Sequence, residues 1–218
     1  MVGTGIDLLE HRIRPAHGKA DGALVLLHGR GTDENDLFGL LDALDPDRRL
    51  VGVTPRAPLS LPPGGYHWYV VPRVGYPDPE TFSQAFSLLS GWLDALPSEL
   101  GVSWEQSVLG GFSMGAVMSY ALGLGPGRPS PAGICTMSGF IPTVPGFELD
   151  LEGRDGYPVA IAHGTADPII EVGFGRDARD RLEQAGCDVL YRESTIGHGV
   201  DPGTIPALET WVKQRVAL

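Results

Sequence analysis

Short, unbroken apolar runs recur along the chain. Residues 23–27 read ALVLL, and related runs lie at 49–54, 106–109, 132–137, 158–162 and 187–192. Runs this short and continuous predict strands buried on both faces, since a half-exposed strand would alternate apolar and polar positions. Between the runs, apolar residues return every three or four positions. Leu37, Leu40, Leu41 and Leu44 share one face of a predicted helix over 34–44, and Phe82, Ala85, Phe86, Leu89 and Leu93 share one over 81–96. Further helices are predicted at 114–122, at 171–185 and at 202–216, the last with Pro202 in its first turn. Strand alternating with helix predicts an α/β fold. It is a single domain over 1–218, with a mostly parallel central sheet, helices on both faces and no inserted cap domain.

Two stretches stand outside this rhythm. Residues 1–21 are polar, with a short strand expected around 8–13. Residues 55–79 are rich in Pro and Gly yet hold Tyr66, His67, Trp68 and Tyr69. That excursion reads as too irregular for a regular element and too aromatic for a spacer, so it is expected to line a site.

The chain has 218 residues and a formal net charge of -11, with two Lys against fourteen Arg. An acidic surface repels phosphate-rich polymers, so nucleic acid is excluded as a partner. No basic start precedes an apolar block at the N-terminus, and no apolar run approaches membrane length. These features predict a cytoplasmic protein without stable membrane insertion. Cys135 and Cys187 read as buried free thiols, and no Cys or His spacing suggests a metal. A homodimer through an exposed apolar edge is compatible with the sequence but not demanded by it.

The chemistry gathers at Gly111-Phe112-Ser113-Met114-Gly115. In a chain with 31 Gly this G-x-S-x-G pattern says little alone. Here a strand precedes it and a helix follows, the setting of a strained turn that presents a serine above a sheet edge. Gly111 and Gly115 fall where strand and helix would otherwise collide. Two histidines follow Ser113, and only His198 lies beyond every candidate acid, in a Gly-flanked loop. Asp167 is the acid in a loop just after a strand. The expected roles are Ser113 as nucleophile, His198 as its base, and Asp167 as the group that orients the imidazole. Two backbone N–H groups would hold the oxyanion: Met114, just after the nucleophile, and Arg30, in the loop after the first buried strand. Trp68, Tyr69, Phe140 and Ile169 follow strand ends and are expected to contact substrate. The Arg30 side chain is read as meeting either a surface acid or a substrate carboxylate.

Several segments together resemble the phospholipase/carboxylesterase family of α/β-hydrolases, which includes bacterial carboxylesterases and acyl-protein thioesterases. They are LLHGRGTDENDL (26–37), TPRAP (54–58), GGFSMGAVMS (110–119), SGF (138–140), HGTADPII (163–170) and GHG (197–199). The resemblance implies a cofactor-free serine hydrolase of small carboxylic esters, acyl thioesters or lysophospholipids. It implies Ser113, Asp167 and His198 as the triad, with Arg30 and Met114 as oxyanion donors. Where many acyl-protein thioesterases carry leucine or a similar residue after His-Gly and glutamine after the serine, this chain carries Arg30 and Met114, and its HGRG loop resembles the bacterial carboxylesterase branch more. The alternative from another class is a non-catalytic ligand receptor on the same scaffold. Such a receptor typically lacks a triad member, and none is missing here.

Overall fold

The computed structural model of the chain describes residues 5–216. Residues 1–4, part of the segment read for a leader, and residues 217–218 lie outside it. Seven strands form the central sheet: β1 (His11–Arg14), β2 (Gly22–Leu27), β3 (Leu50–Pro55), β6 (Val108–Phe112), β7 (Gly133–Met137), β8 (Pro158–Gly164) and β9 (Asp188–Ser194). Their order across the sheet is β1-β3-β2-β6-β7-β8-β9. Only β1 runs antiparallel; every other pairing is parallel. The chain winds outward from β2 through β3, then returns to lay β6 on the other side of β2. The carboxyl ends of β2 and β6 therefore flank the topological switch point, where α/β sheets open a crevice.

The helices are α1 (Leu40–Leu44), α2 (Pro79–Leu100), α3 (Met114–Leu124), α4 (Val172–Gln184) and α5 (Ile205–Arg215). Alternation within β2 explains the layering. Ala23, Val25 and Leu27 pack in the core beneath α2 and α3, while Leu24 and Leu26 pack in the core beneath α1 and α5. Ile134, Val159 and Ile161 meet α4 through Ala178 and Leu182. With both faces covered, all six residues of β2 are buried, as its unbroken apolar run requires.

The structure corrects several boundaries. The leucine stripe of 34–44 is right, since Leu37, Leu41 and Leu44 are buried, but only 40–44 is α-helical. Upstream, Asp33 Oδ1 accepts the Asn35 N–H, and the Thr54 hydroxyl takes the Glu34 carbonyl at 2.7 Å, so backbone groups that a helix needs are already engaged. Helix α2 is longer than the apolar stripe. It starts where Asp78 Oδ1 accepts the Thr81 N–H beside Pro79, and ends at Gly101 with φ 65°. Helix α5 starts later than expected. Residues 201–204 form a turn on the Asp201 carbonyl, and Pro206, not Pro202, occupies the first helical turn. Strand β8 continues through His163 and Gly164. The 55–79 excursion is less irregular than expected, because β4 (Leu59–Ser60) and β5 (Tyr66–His67) form an antiparallel ribbon within it.

Beside the sheet, the outermost strand is anchored by a buried cation. Arg14 on β1 donates to Asp45 Oδ2 at 2.5 Å and to the carbonyls of Leu41 and Leu50. Buried charge is tolerated here because nearly every donor finds an acceptor.

Candidate active site

The turn from β6 into α3 leaves Ser113 with φ 54° and ψ −118°, a conformation that L-residues rarely adopt. The flanking glycines have steric causes. A Cβ on Gly115 would stand 1.9 Å from the Leu27 carbonyl oxygen, and one on Gly111 would stand 2.6 Å from the Gly115 carbonyl carbon. Helix α3 is thus driven against the end of β2, with all eleven of its residues buried, and its N-terminus opens beside the serine hydroxyl.

Loops from the ends of β8 and β9 deliver two more side chains to this point. The Ser113 hydroxyl donates to His198 Nε2 at 2.9 Å, and His198 Nδ1–H donates to Asp167 Oδ2 at 2.7 Å. The second oxygen of Asp167 accepts the N–H groups of Ile169 and Ile170, at 2.8 and 2.9 Å. Burial opposes ionisation of Asp167, but the His198 contact and the two amides outweigh it and hold the carboxyl below its ordinary range. An ionised carboxylate accepts only, so the Asp167 contact places the imidazole proton on Nδ1 and leaves Nε2 free to take a proton from Ser113. The Phe112 ring lies 4.8 Å from the imidazole, centre to centre, and walls it on one side.

The loop after β2 is clamped by the ribbon. Gly31 N–H donates to the Tyr66 carbonyl, and Tyr66 N–H donates to the Thr32 carbonyl, both at 2.8 Å. Gly65 has φ +83°, and a Cβ there would strike the Gly31 oxygen at 2.1 Å. Immediately before these bonds, the Arg30 N–H is left over. Among the described residues neither it nor the Met114 N–H donates to another backbone group. The two amides, one on the β2 loop and one at the start of α3, are therefore both available to a ligand at Ser113.

Ser113 and His198 open onto a cavity of about 200 Å³. Its walls are largely apolar, with Val71, Val74, Phe140, Ile169 and Ile170; Arg30, Tyr69 and Met114 complete the lining. Tyr69, Phe140 and Ile169, expected to contact substrate, line this cavity. Trp68 does not. It is fully buried behind the wall, donating its indole N–H to the His28 carbonyl at 2.9 Å, while its own backbone N–H donates to Met114 Sδ at 3.2 Å. An indole flanked by the end of β2 and the start of α3 has no path to the cavity; it braces those two segments instead. The Arg30 side chain is exposed, and among the described residues it pairs with no acid. Among the described residues, no group of His, Cys, Asp and Glu is suited to a metal, and no helix is long and apolar enough to cross a membrane.

Two supporting histidines escape sequence reasoning. His28 Nε2 accepts the Ala57 N–H at 3.0 Å, so its proton sits on Nδ1, within 2.7 Å of the Gly29 carbonyl. His163 donates from Nε2 to the Ile170 carbonyl at 2.8 Å, leaving Nδ1 buried without a partner. The flanking motifs HGRG and HGTADP mark both residues, but spacing cannot show that each ring holds a backbone turn.

Known proteins share this frame. The acyl-protein thioesterase 1 of Candida albicans is 26% identical over 197 residues, covering 79% of this chain and 82% of that protein. That of Neurospora crassa is 25% identical, covering 93% of this chain and 90% of that protein. The carboxylesterase of Bacillus cereus superposes with a TM-score of 0.84 at 24% identity, covering 95% of each chain. Esterase PE8 superposes with a TM-score of 0.80 at 26% identity, covering 94% of this chain and 98% of that one. The shared architecture is the α/β-hydrolase fold. With residues 9–215 matching the profile of the phospholipase/carboxylesterase family, the chain belongs to that family.

Proposed function

We propose that this protein is a serine hydrolase that cleaves small carboxylic esters by acyl transfer through Ser113. The observation that carries this reading is the continuous hydrogen-bonded line from Ser113 Oγ through His198 to Asp167, at 2.9 and 2.7 Å. Ser113 Oγ attacks the ester carbonyl carbon as its proton passes to His198 Nε2. Negative charge collects on the carbonyl oxygen, where the Arg30 and Met114 N–H groups and the positive end of α3 stabilise it. Asp167 stabilises the imidazolium and keeps its tautomer. The C–O bond to the leaving group then breaks, His198 returns the proton to the departing alkoxide, and an acyl-Ser113 ester remains. Water, deprotonated by His198, attacks that ester, and the carboxylic acid departs with Ser113 restored.

The cavity supports short or medium acyl groups. At about 200 Å³ it lies below the roughly 300–1,000 Å³ of sites that enclose drug-sized ligands. A second reading, acyl thioester hydrolysis by the same steps with a thiolate leaving, is favoured by the relatives named acyl-protein thioesterase 1. A fluorophosphonate probe should label the protein, and Ser113→Ala should abolish the label. A series of p-nitrophenyl esters from acetate to palmitate, run beside acyl-CoA and lysophosphatidylcholine, ranks the substrates. A rate optimum at laurate or longer contradicts the short-acyl reading, and an unlabelled wild-type protein contradicts the whole of it.

A further inference from the structure

We propose that the ester accepted at Ser113 carries a carboxylate, and that the Arg30 guanidinium receives it. The inference rests on the reading of Ser113 as nucleophile and adds the substrate's charge.

Arg30 is unlike every other arginine of the chain. Among the described residues, each of the others has an ion-pair, hydrogen-bond or cation–π partner within the protein. Arg30 has none, in a protein whose formal charge is -11. Acids are abundant, yet among the described residues this guanidinium is left without a partner, exposed, on the rim of the cavity that holds Ser113 and His198. No aspartate or glutamate lines that cavity, so nothing inside it neutralises the guanidinium. The remaining wall is mostly apolar, which weakens screening and strengthens attraction for an anion that enters.

Geometry ties this charge to the reaction. The Arg30 backbone N–H is the proposed oxyanion donor, so the guanidinium issues from the residue that would touch the reacting carbonyl. Its loop is fixed just after Arg30 by the two Tyr66 bonds, at Gly31 and Thr32, which hold the root of the side chain still. A carboxylate one side chain's length from the scissile carbonyl meets a planar fork of donors matched to two oxygens. A single cation suits a monoanion, and the formal charge of -11 on the whole chain disfavours more heavily charged substrates. The carboxylate can belong to the acyl part, as in a half-ester of a dicarboxylic acid, or to the alcohol part, as in an acylated hydroxy acid.

Two matched pairs separate these sources: monophenyl adipate against phenyl hexanoate, and 4-acetoxybenzoate against its methyl ester. In the wild-type protein, kcat/KM for the anionic member of at least one pair should exceed that of its neutral match by roughly tenfold. The pair that shows it identifies the side. The ratio should fall toward one in Arg30→Gln, invert in Arg30→Glu and persist in part in Arg30→Lys. Because the ratio is taken within each variant, any general loss of activity cancels. In the wild-type protein, raising NaCl from about 0.05 to about 1 M should shrink it. A wild-type ratio near one for both pairs overturns the inference while leaving Ser113 chemistry intact, and so does a ratio that survives Arg30→Gln. Failure to hydrolyse any of the four esters or to take the fluorophosphonate label removes the reading beneath it, and the inference with it.

Discussion

Trp68 donates its indole N–H to the His28 carbonyl at 2.9 Å, joining the aromatic excursion to the end of β2. That bond fixes the backbone one residue before the Gly29-Arg30 loop. Trp68→Phe keeps an aromatic ring at this place but leaves a buried carbonyl unsatisfied, which costs about 1–3 kcal/mol. The proposed Arg30 donor would lose its support, so kcat should fall about tenfold with KM little changed. Denaturant titration and ester kinetics on the same preparation check both halves. An unchanged kcat with reduced stability would make Trp68 core packing and nothing more.

His28 makes stability depend on pH. Burial lowers its pKa, with the Gly29 carbonyl only partly compensating. Protonation would also set an Nε2–H against the Ala57 N–H that now donates to it. The unfolded chain titrates this imidazole near about 6.5, so below that value the unfolded state binds a proton that the folded state refuses. Stability therefore rises with pH across the window between the lowered folded pKa and about 6.5, and falls as acid is added through it. His28→Gln, whose side-chain oxygen can accept from Ala57, should flatten the curve between about pH 7 and 5. A parallel slope in wild type and variant would place the effect elsewhere.

These two residues also show what a sequence conceals. The Gly-x-Ser-x-Gly turn was legible because its steric demand is local: Gly111 and Gly115 are set by the crossing of adjacent elements, four residues apart. Asp167 and His198 were legible because chain order and strand ends place them; in the structure Asp167 bonds to His198, and His198 bonds to the serine. The roles of Trp68 and His28 were not legible. Each depends on a single backbone group brought close by folding, and Trp68 lies 40 residues from its carbonyl acceptor. An aromatic residue beside a site has the same composition whether it lines the cavity or stands behind its wall. The 34–44 helix failed for a related reason. Its apolar stripe reports burial correctly, but the Thr54 hydroxyl that takes the Glu34 carbonyl is invisible to periodicity.

His163 holds the turn that presents the carboxylate. Its Nε2–H donates to the Ile170 carbonyl, while the Ile169 and Ile170 amides donate to Asp167. Removing the ring would free residues 167–170 to move together, and Asp167 with them. His163→Ala should lower kcat by roughly tenfold or more through misplacement of the acid. His163→Gln, which retains a donor near the Nε2 position, should lose markedly less. Equal losses in the two variants would show that ring volume, not the hydrogen bond, is what matters.

Ser113 sets reactivity against stability within one residue. Its φ of 54° with ψ −118° is held by the packing of α3 on β2, and such backbone strain costs on the order of 1–3 kcal/mol. Glycine adopts that region freely, at an unfolded-state entropy cost of roughly 0.5–1 kcal/mol. Ser113→Ala and Ser113→Gly both delete the hydroxyl and should both be inactive, but only the second relieves the strain. Ser113→Gly should therefore be the more stable of the two by about 1 kcal/mol, a rise of about 2–4 °C in melting temperature at this chain length. Calorimetry on the two inactive variants isolates the backbone term, since neither can donate to His198. Identical melting temperatures would mean that the turn carries its unusual dihedrals without strain, and that the serine is presented by shape alone.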